Sequence, residues 1–203
     1  MRGHPETPMT IRIQHDCFVI GSGPSLEGFD FDRLPAAFRI GANKSAWLAK
    51  CDVLVSVDRR FHREFRKQIE AFPGDKFMAR AEDEPIPGVT YAAYERGEGL
   101  SESISTLKGT NSGFAALNVA YILGYKRIGL LGFDFQWTGG KSHFHDGYTW
   151  QNKAAHRHLR TWARAFPKIL PQLTAKGVEV INYVGPEGSG IDVFEKRPLC
   201  DLI

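Results

Sequence analysis

The sequence predicts an α/β fold, a mostly parallel sheet with helices on both faces and a small lid or none. Three observations predict it. Short apolar runs alternate with helical stretches at the spacing of strand–helix–strand units. Runs such as Val53-Leu54-Val55-Ser56-Val57 are apolar nearly throughout, as strands covered on both faces must be. The first run, Cys17-Phe18-Val19-Ile20, enters the turn Gly21-Ser22-Gly23-Pro24-Ser25 and then a Leu-Glu that can begin a helix. Together these describe a Rossmann-like domain. Gly21 and Gly23 permit backbone approach that a β-carbon forbids, and free N–H groups at such a turn can face a phosphate. The dinucleotide fingerprint needs a third glycine, which Ser25-Leu26 do not supply, so an ordinary strand-to-helix turn stays open.

The elements follow in order. Residues 1–15 read as a partly disordered lead-in, Asp16 to Ile20 as the first strand, and Phe38-Arg39-Ile40-Gly41-Ala42 as the second, with Asn43 at its carboxyl end. Ser45 to Lys50 reads as a short helix, Asp52 to Val57 as the third strand ended by Asp58, and Arg60 to Phe72 as a helix. Lys76 to Ala79 and Val89 to Ala92 read as strands on either side of the acidic Glu82-Asp83-Glu84. From Tyr94 to Lys108 periodicity fails, and the glycines and serines there predict a mobile loop. Gly109-Thr110-Asn111-Ser112-Gly113 precedes an apolar helix, Phe114 to Leu123, stopped by Gly124. Arg127 to Gly132 reads as a buried strand ending in Phe133-Asp134-Phe135, followed by a polar loop to Tyr148. Trp150 to Ala165 reads as a helix ended by Pro167 and Pro171, and Val178 to Asn182 as the last strand before a C-terminal tail.

The 203 residues suit one nucleotide-binding domain over 1–203. No apolar run approaches the roughly 20 residues needed to cross a bilayer, and the first fifteen residues hold no apolar signal core. Cys17, Cys51 and Cys200 are odd in number and far apart, which favours free, buried thiols over disulfides or a zinc site. That points to a reducing compartment, the cytoplasm of a bacterium or of a virus-infected cell. A net charge of +3 permits an anionic ligand without the clustering that nucleic-acid binding requires, so nucleic acid is not indicated. The basic run Arg59 to Lys67 reads as a solvated helix face. A homo-oligomer stays open.

In open parallel sheets, ligands bind beyond the carboxyl ends of the strands, where the strand order reverses. Ser22, Asn43, Asp58, Asn111 with Ser112, Asp134 and Asn182 all fall at such ends, although Asn43 and Ser112 can equally be helix N-caps. His143, His145 and Asp146 form the best acid/base cluster, because histidine titrates near neutrality and a carboxylate can orient it. A His-x-His pair can also hold a metal, though only Asp146 offers a local third ligand, and a plain surface loop remains open. His156 and His158 point in different directions from one helix and read as solvent histidines. Trp137, Tyr148 and Trp150 bracket the histidine loop, either to stack on a ligand or to anchor the loop.

Two resemblances sharpen this. Gly21-Ser22-Gly23-Pro24-Ser25-Leu26, Phe29-Asp30-Phe31-Asp32-Arg33-Leu34-Pro35 and Asn43 resemble the opening of the bacterial sialyltransferases of glycosyltransferase family 42. Thr110-Asn111-Ser112-Gly113, Leu123 to Ile128 and Gly132-Phe133-Asp134-Phe135 resemble their second signature. The resemblance implies a metal-independent transferase without a required cofactor, taking a CMP-sialic acid-type donor and a hydroxyl acceptor. It places Ser22, Asn43, Ser112 and Gly113 on the nucleotide, within a binding set of Gly21, Ser22, Gly23, Pro24, Ser25, Asn43, Asn111, Ser112, Gly113, Asp134 and Lys141. Ser22 stands where the family has asparagine, and Gln136-Trp137 where it has phosphate-holding tyrosines. The family's catalytic histidine lies beyond a lid that this shorter chain lacks, so His143 or His145 stands in as the base and Lys141 or the second histidine meets the leaving phosphate.

The second resemblance is to 6-hydroxymethylpterin diphosphokinase-like proteins, through Asp134 with Gly140-Lys141-Ser142-His143 and through Asn182 to Gly190. It implies ATP and Mg²⁺, the metal held by Asp58 or Asp134. A third reading is a nucleotide-binding module that kept the pocket and lost the chemistry.

Overall fold

Nine strands form one sheet, and every neighbouring pair in it is parallel, so each connection has to cross a face of the sheet. The computed structural model describes residues 14–79, 85–137, 141, 143–145 and 155–203. Outside that set lie most of the lead-in, Glu82-Asp83-Glu84, Gly139, Gly140, Ser142, Asp146, Tyr148 and Trp150. The strands are β1 (Cys17–Ile20), β2 (Phe38–Ala42), β3 (Val53–Ser56), β4 (Asp75–Ala79), β5 (Thr90–Glu95), β6 (Thr106–Lys108), β7 (Arg127–Leu131), β8 (Glu179–Val184) and β9 (Glu195–Pro198). Their order is β6-β5-β4-β3-β2-β1-β7-β8-β9. The chain lays strands outward from β1 to β6, then returns to the other side of β1. Ile20 is thus flanked by Gly41 of β2 and Leu131 of β7, and the reversal falls beside β1.

The period of two along each strand divides the core. Cys17 and Val19 join Ile40, Val53, Val55 and the crossover helix on one face; Phe18 and Ile20 join Leu54, Phe61 and Ile69 on the other. The second face is covered by α1 (Ser45–Leu48), α2 (Arg59–Glu64) and α3 (Arg66–Ala71), with Trp47 stacked on Phe61 at 5.5 Å. The first is covered by α4 (Ser112–Ile122), which carries the chain from β6 back to β7. Helix α4 is apolar on all sides because it is roofed as well as floored. Phe114 meets Phe166 at 5.0 Å, and Ile169 and Leu173 belong to the same cluster. The single buried amide on α4, Asn118, is bonded through both ends: its Oδ1 accepts from the Ser101 and Lys108 N–H groups, and its Nδ2 donates to Ser101 O. Two further helices are α5 (Ala155–Ala163) and α6 (Leu170–Ala175).

The structure departs from the sequence reading in several places. The stretch read as a mobile loop holds the end of β5 and all of β6, and the C-terminal tail adds β9. Both are short strands at the sheet edge side, too brief to show a pattern. The helix expected over Arg60 to Phe72 is two helices, broken at Phe65. Pro167 and Pro171 begin helical segments rather than ending one, since a first-turn residue has no intrahelical N–H bond to lose. All three cysteines are free; Cys17 and Cys51 are buried and Cys200 is exposed. Burial pushes both buried thiols up, Cys51 to about 12. Among the described residues no helix is long and apolar enough to cross a membrane.

Asn118→Ala strips partners from two N–H groups, one buried and one half-buried, and from one carbonyl. It is expected to cost about 2–3 kcal/mol in urea unfolding; a loss below about 0.5 kcal/mol would mean that water replaces the amide at no cost.

Candidate functional site

A cleft of about 660 Å³ opens at the carboxyl ends of β1, β2 and β3, beside the end of β7. This is where the strand order reverses, the position expected for a ligand. Its wall includes Gly21, Ser22, Gly23, Asn43, Asp58 and His143, with Asn111, Ser112 and Gly113 opposite. Residues separated by more than a hundred positions therefore meet in one concavity.

The glycine turn is built differently from the expectation. Gly21 N donates to Leu131 O at 2.8 Å, Gly23 N to Gly132 O at 2.8 Å, and Ser25 N to Asp134 Oδ2 at 2.7 Å. Those three N–H groups are bonded at or just beyond the end of β7 and are not presented to a ligand. The glycines are required by the same contact: a β-carbon on Gly21 would lie 2.6 Å from Gly132 O, and one on Gly23 2.5 Å from Asp134 Oδ2. Asp134 is buried, and its other oxygen accepts from Ser25 Oγ at 2.6 Å. Burial pushes its carboxyl up, against the pull of the two Ser25 donors. Pro24, Ser25 and Asp134 thus shape the turn without lining the cleft.

On the far side, Ser22 Oγ lies 2.9 Å from Ser45 Oγ, which donates to Gly21 O at 2.6 Å. Asn43 has a left-handed backbone, φ 54°, which asparagine tolerates well. Neither Asn43 nor Ser112 is a capping side chain. Asn111 caps α4, its Oδ1 accepting from Phe114 N, and Ser112 Oγ accepts from Val57 N at 3.1 Å. Asn43 Oδ1 is buried with no hydrogen-bond partner among the described residues. An orphaned acceptor beside a cleft is the arrangement that a ligand donor completes.

The histidine segment reaches this cleft through Ser22. Phe144 N donates to Ser22 O at 3.0 Å, and the Phe144 ring packs 5.9 Å from Phe31. His143 then faces the cleft, 5.6 Å from the His145 ring. Burial, assisted by the Lys44 charge, lowers the His143 pKa below the ordinary value, which favours the neutral ring. His145 does not line the cleft, Asp146 is outside the described residues, and the Lys141 ammonium is held by Glu27.

Several wall residues escaped the sequence reading. Tyr94 and Arg96 fell in the stretch read as a loop; Arg59, in a run read as solvated, is exposed as expected and also lines the cleft. His158, read as a solvent histidine, is exposed, but it stacks on Trp162 at 5.8 Å, and both line the cleft. The i, i+4 spacing of His158 and Trp162 was the available signal. Trp137 is exposed and lies outside the lining, and Asn182 sits within β8 rather than beyond it, fully buried.

The Mg²⁺ alternative asks Asp58 or Asp134 for ligands. Asp134 has both oxygens on Ser25, and Asp58 Oδ1 accepts from Arg60 N at 2.8 Å as the cap of α2. Among the described residues no three His, Cys, Asp or Glu side chains are grouped to hold a metal ion. Asp134 is thus committed to the turn, and Asp58 is the carboxylate that lines the cleft.

No protein-family model matches the chain, and no curated protein matches it. Among solved structures it resembles that of the sialyltransferase CstII from Campylobacter jejuni in complex with the substrate analogue CMP-3FNeuAc. The TM-score is 0.53 at 15% identity, over 94% of this chain and 89% of that one. The fold is shared with a glycosyltransferase across nearly the whole chain.

Ser25→Ala leaves Asp134 with one donor fewer and raises its carboxyl pKa further. The penalty is therefore greatest where the group is charged. We expect about 1–2 kcal/mol at neutral pH, shrinking towards about pH 4 as the carboxyl protonates. Urea unfolding at both pH values checks this, and a pH-independent penalty would contradict it.

Proposed function

We propose that the protein is a glycosyltransferase resembling CMP-sialic acid-dependent sialyltransferases, moving a sugar from a nucleotide donor to an acceptor hydroxyl. The observation that carries this is the single cleft holding Ser22, Asn43, Ser112, Gly113 and His143 together, with the neutral ring of His143 favoured. The structural neighbour crystallised with a CMP-sugar analogue adds support through its shared fold.

In this reading the nucleotide lies between the glycine turn and the start of α4. Asn43 Oδ1 accepts a donor from it. Helix α4 has eleven residues, and its first-turn N–H groups, those of Ser112 and Gly113, lie at the cleft, where they and the helix dipole favour an anion. Arg59 and Arg96 line the same space and add positive charge for the leaving phosphate. Tyr94, Trp162 and Phe135 supply flat surfaces for the base and sugar. His143, uncharged, takes the proton of the acceptor hydroxyl as its oxygen bonds to the anomeric carbon and the bond from that carbon to the phosphate oxygen breaks.

Titration with CMP in the presence of a chelator tests the donor assignment. At 100 times its Kd, CMP stabilises the fold by roughly 2.7 kcal/mol. No stabilisation by CMP, with a shift by ATP and Mg²⁺, would move the reading to diphosphoryl transfer; binding with no turnover would leave the non-catalytic module. His143→Ala is expected to lower turnover by about 10²–10⁴-fold with CMP affinity retained. Because a base must be unprotonated, kcat/KM should be level at neutral pH and fall as acid passes an apparent pKa below about 6.5. Unchanged turnover in the variant would sink the histidine assignment.

A further inference from the structure

The cleft at the strand ends is basic with one exception. Arg59, Arg96 and the first turn of α4 line it, and Asp58 is the single carboxylate among its described wall residues. A carboxylate turned to a phosphate is repelled by it, and more strongly in a partly desolvated cleft than in water. Asp58 therefore suits a part of the ligand that is neutral and donates hydrogen bonds.

The fold sets its position. Asp58 is half-buried, its N–H donates to Ser56 Oγ at 3.3 Å, and its Oδ1 accepts from Arg60 N at 2.8 Å as the cap of α2. Its Oδ2 accepts no hydrogen bond among the described residues. Two neighbours bound this patch of wall. Asn43 N donates to Val55 O at 3.0 Å, which sets Asn43, with its buried and unpartnered Oδ1, beside the end of β3. Val57 N donates to Ser112 Oγ at 3.1 Å, which sets the start of α4 one residue from Asp58. The end of β3 thus offers side-chain acceptors next to the helix turn that favours an anion.

In a nucleotide, the neutral group next to the phosphate is the ribose, joined to it through one methylene, and its diol has two protons to give. The cytosine edge is a poorer match. Its amino donor is followed by the acceptors N3 and O2, which would oppose a carboxylate, and the base stands one ring further from the phosphate.

We propose that Asp58 selects ribonucleotides, its carboxylate accepting from the ribose diol of the donor nucleotide so that the site discriminates against deoxy forms. The proposal rests on the nucleotide-binding reading of this cleft and adds the residue that recognises the sugar of the nucleotide.

The test is calorimetric titration of the full chain with CMP, its 2′-deoxy and 3′-deoxy forms, and UMP. Wild type is expected to bind CMP about 10–100-fold more tightly than at least one deoxy form, the range for a hydrogen bond to a charged group, and the weaker form identifies the hydroxyl. Asp58→Ser keeps a capping side chain for α2 and withdraws the carboxylate. In it the preference should fall to within about twofold, CMP weakening while the deoxy forms bind at least as well, because a negative charge has left the cleft. Asp58→Asn, which also caps α2 and keeps the shape, should cut the preference at least about threefold. Equal binding of CMP and both deoxy forms to wild type, or a preference that survives both substitutions, overturns the proposal and leaves the nucleotide reading standing. Loss of discrimination between CMP and UMP, in place of the deoxy preference, means that the carboxylate reads the base and overturns it too. Binding of none of the four to wild type removes the nucleotide reading and the proposal with it.

Discussion

The contact on which the site depends is the clasp between the end of β1 and the end of β7. Two strands separated by more than a hundred residues are parallel neighbours, and their carboxyl ends are joined by the N–H groups of Gly21, Gly23 and Ser25. The buried Asp134 carboxylate is the centre of that clasp. Its charge is tolerated in the interior because Ser25 gives it two hydrogen bonds, and loss of either donor exposes the cost of desolvation. Two glycines make the approach possible, since either β-carbon would collide with the opposite strand end.

From this clasp the rest of the site is positioned in turn. The turn carries Ser22, whose carbonyl accepts from Phe144 N and so brings His143 to the cleft. Ser45 ties the same turn to the end of β2, where Asn43 stands. On the opposite wall, Ser112 Oγ accepts from Val57 N and fixes the start of α4 against the end of β3. The cleft is a meeting of strand ends whose hydrogen bonds serve the scaffold, with Asn43 Oδ1 unpartnered and the first turn of α4 at its wall.

Much of this was legible in the sequence, for physical reasons. Buried parallel strands are apolar on both faces, so β1, β2, β3 and β7 announce themselves, and their carboxyl ends locate the cleft once the fold class is known. Ser22, Asn43, Asp58 and Ser112 follow from that rule. What misled was assigning a role from residue type alone. Gly-Ser-Gly-Pro resembles a phosphate loop, yet the N–H groups of Gly21 and Gly23 are spent on the end of β7, a partner that only the strand order reveals. Asp134 stands at a strand end like Asp58, but its side chain turns to Ser25. β6 and β9 are three and four residues long, too short for a periodic signal. Tyr94 and Arg96 reach the cleft from elements whose placement is a matter of tertiary packing, which no local pattern encodes.

The central claim is that a nucleotide binds at this reversal of strand order, between the glycine turn and the start of α4. Amide hydrogen exchange with and without CMP tests it most directly, because the first-turn N–H groups of α4 are the donors that the ligand would engage. The account predicts slowed exchange at Ser112 and Gly113, and little change at Gly21 and Gly23, whose N–H groups are already bonded to β7. Protection at the glycine turn without protection at α4, or no change in either with CMP at saturating concentration, would contradict it.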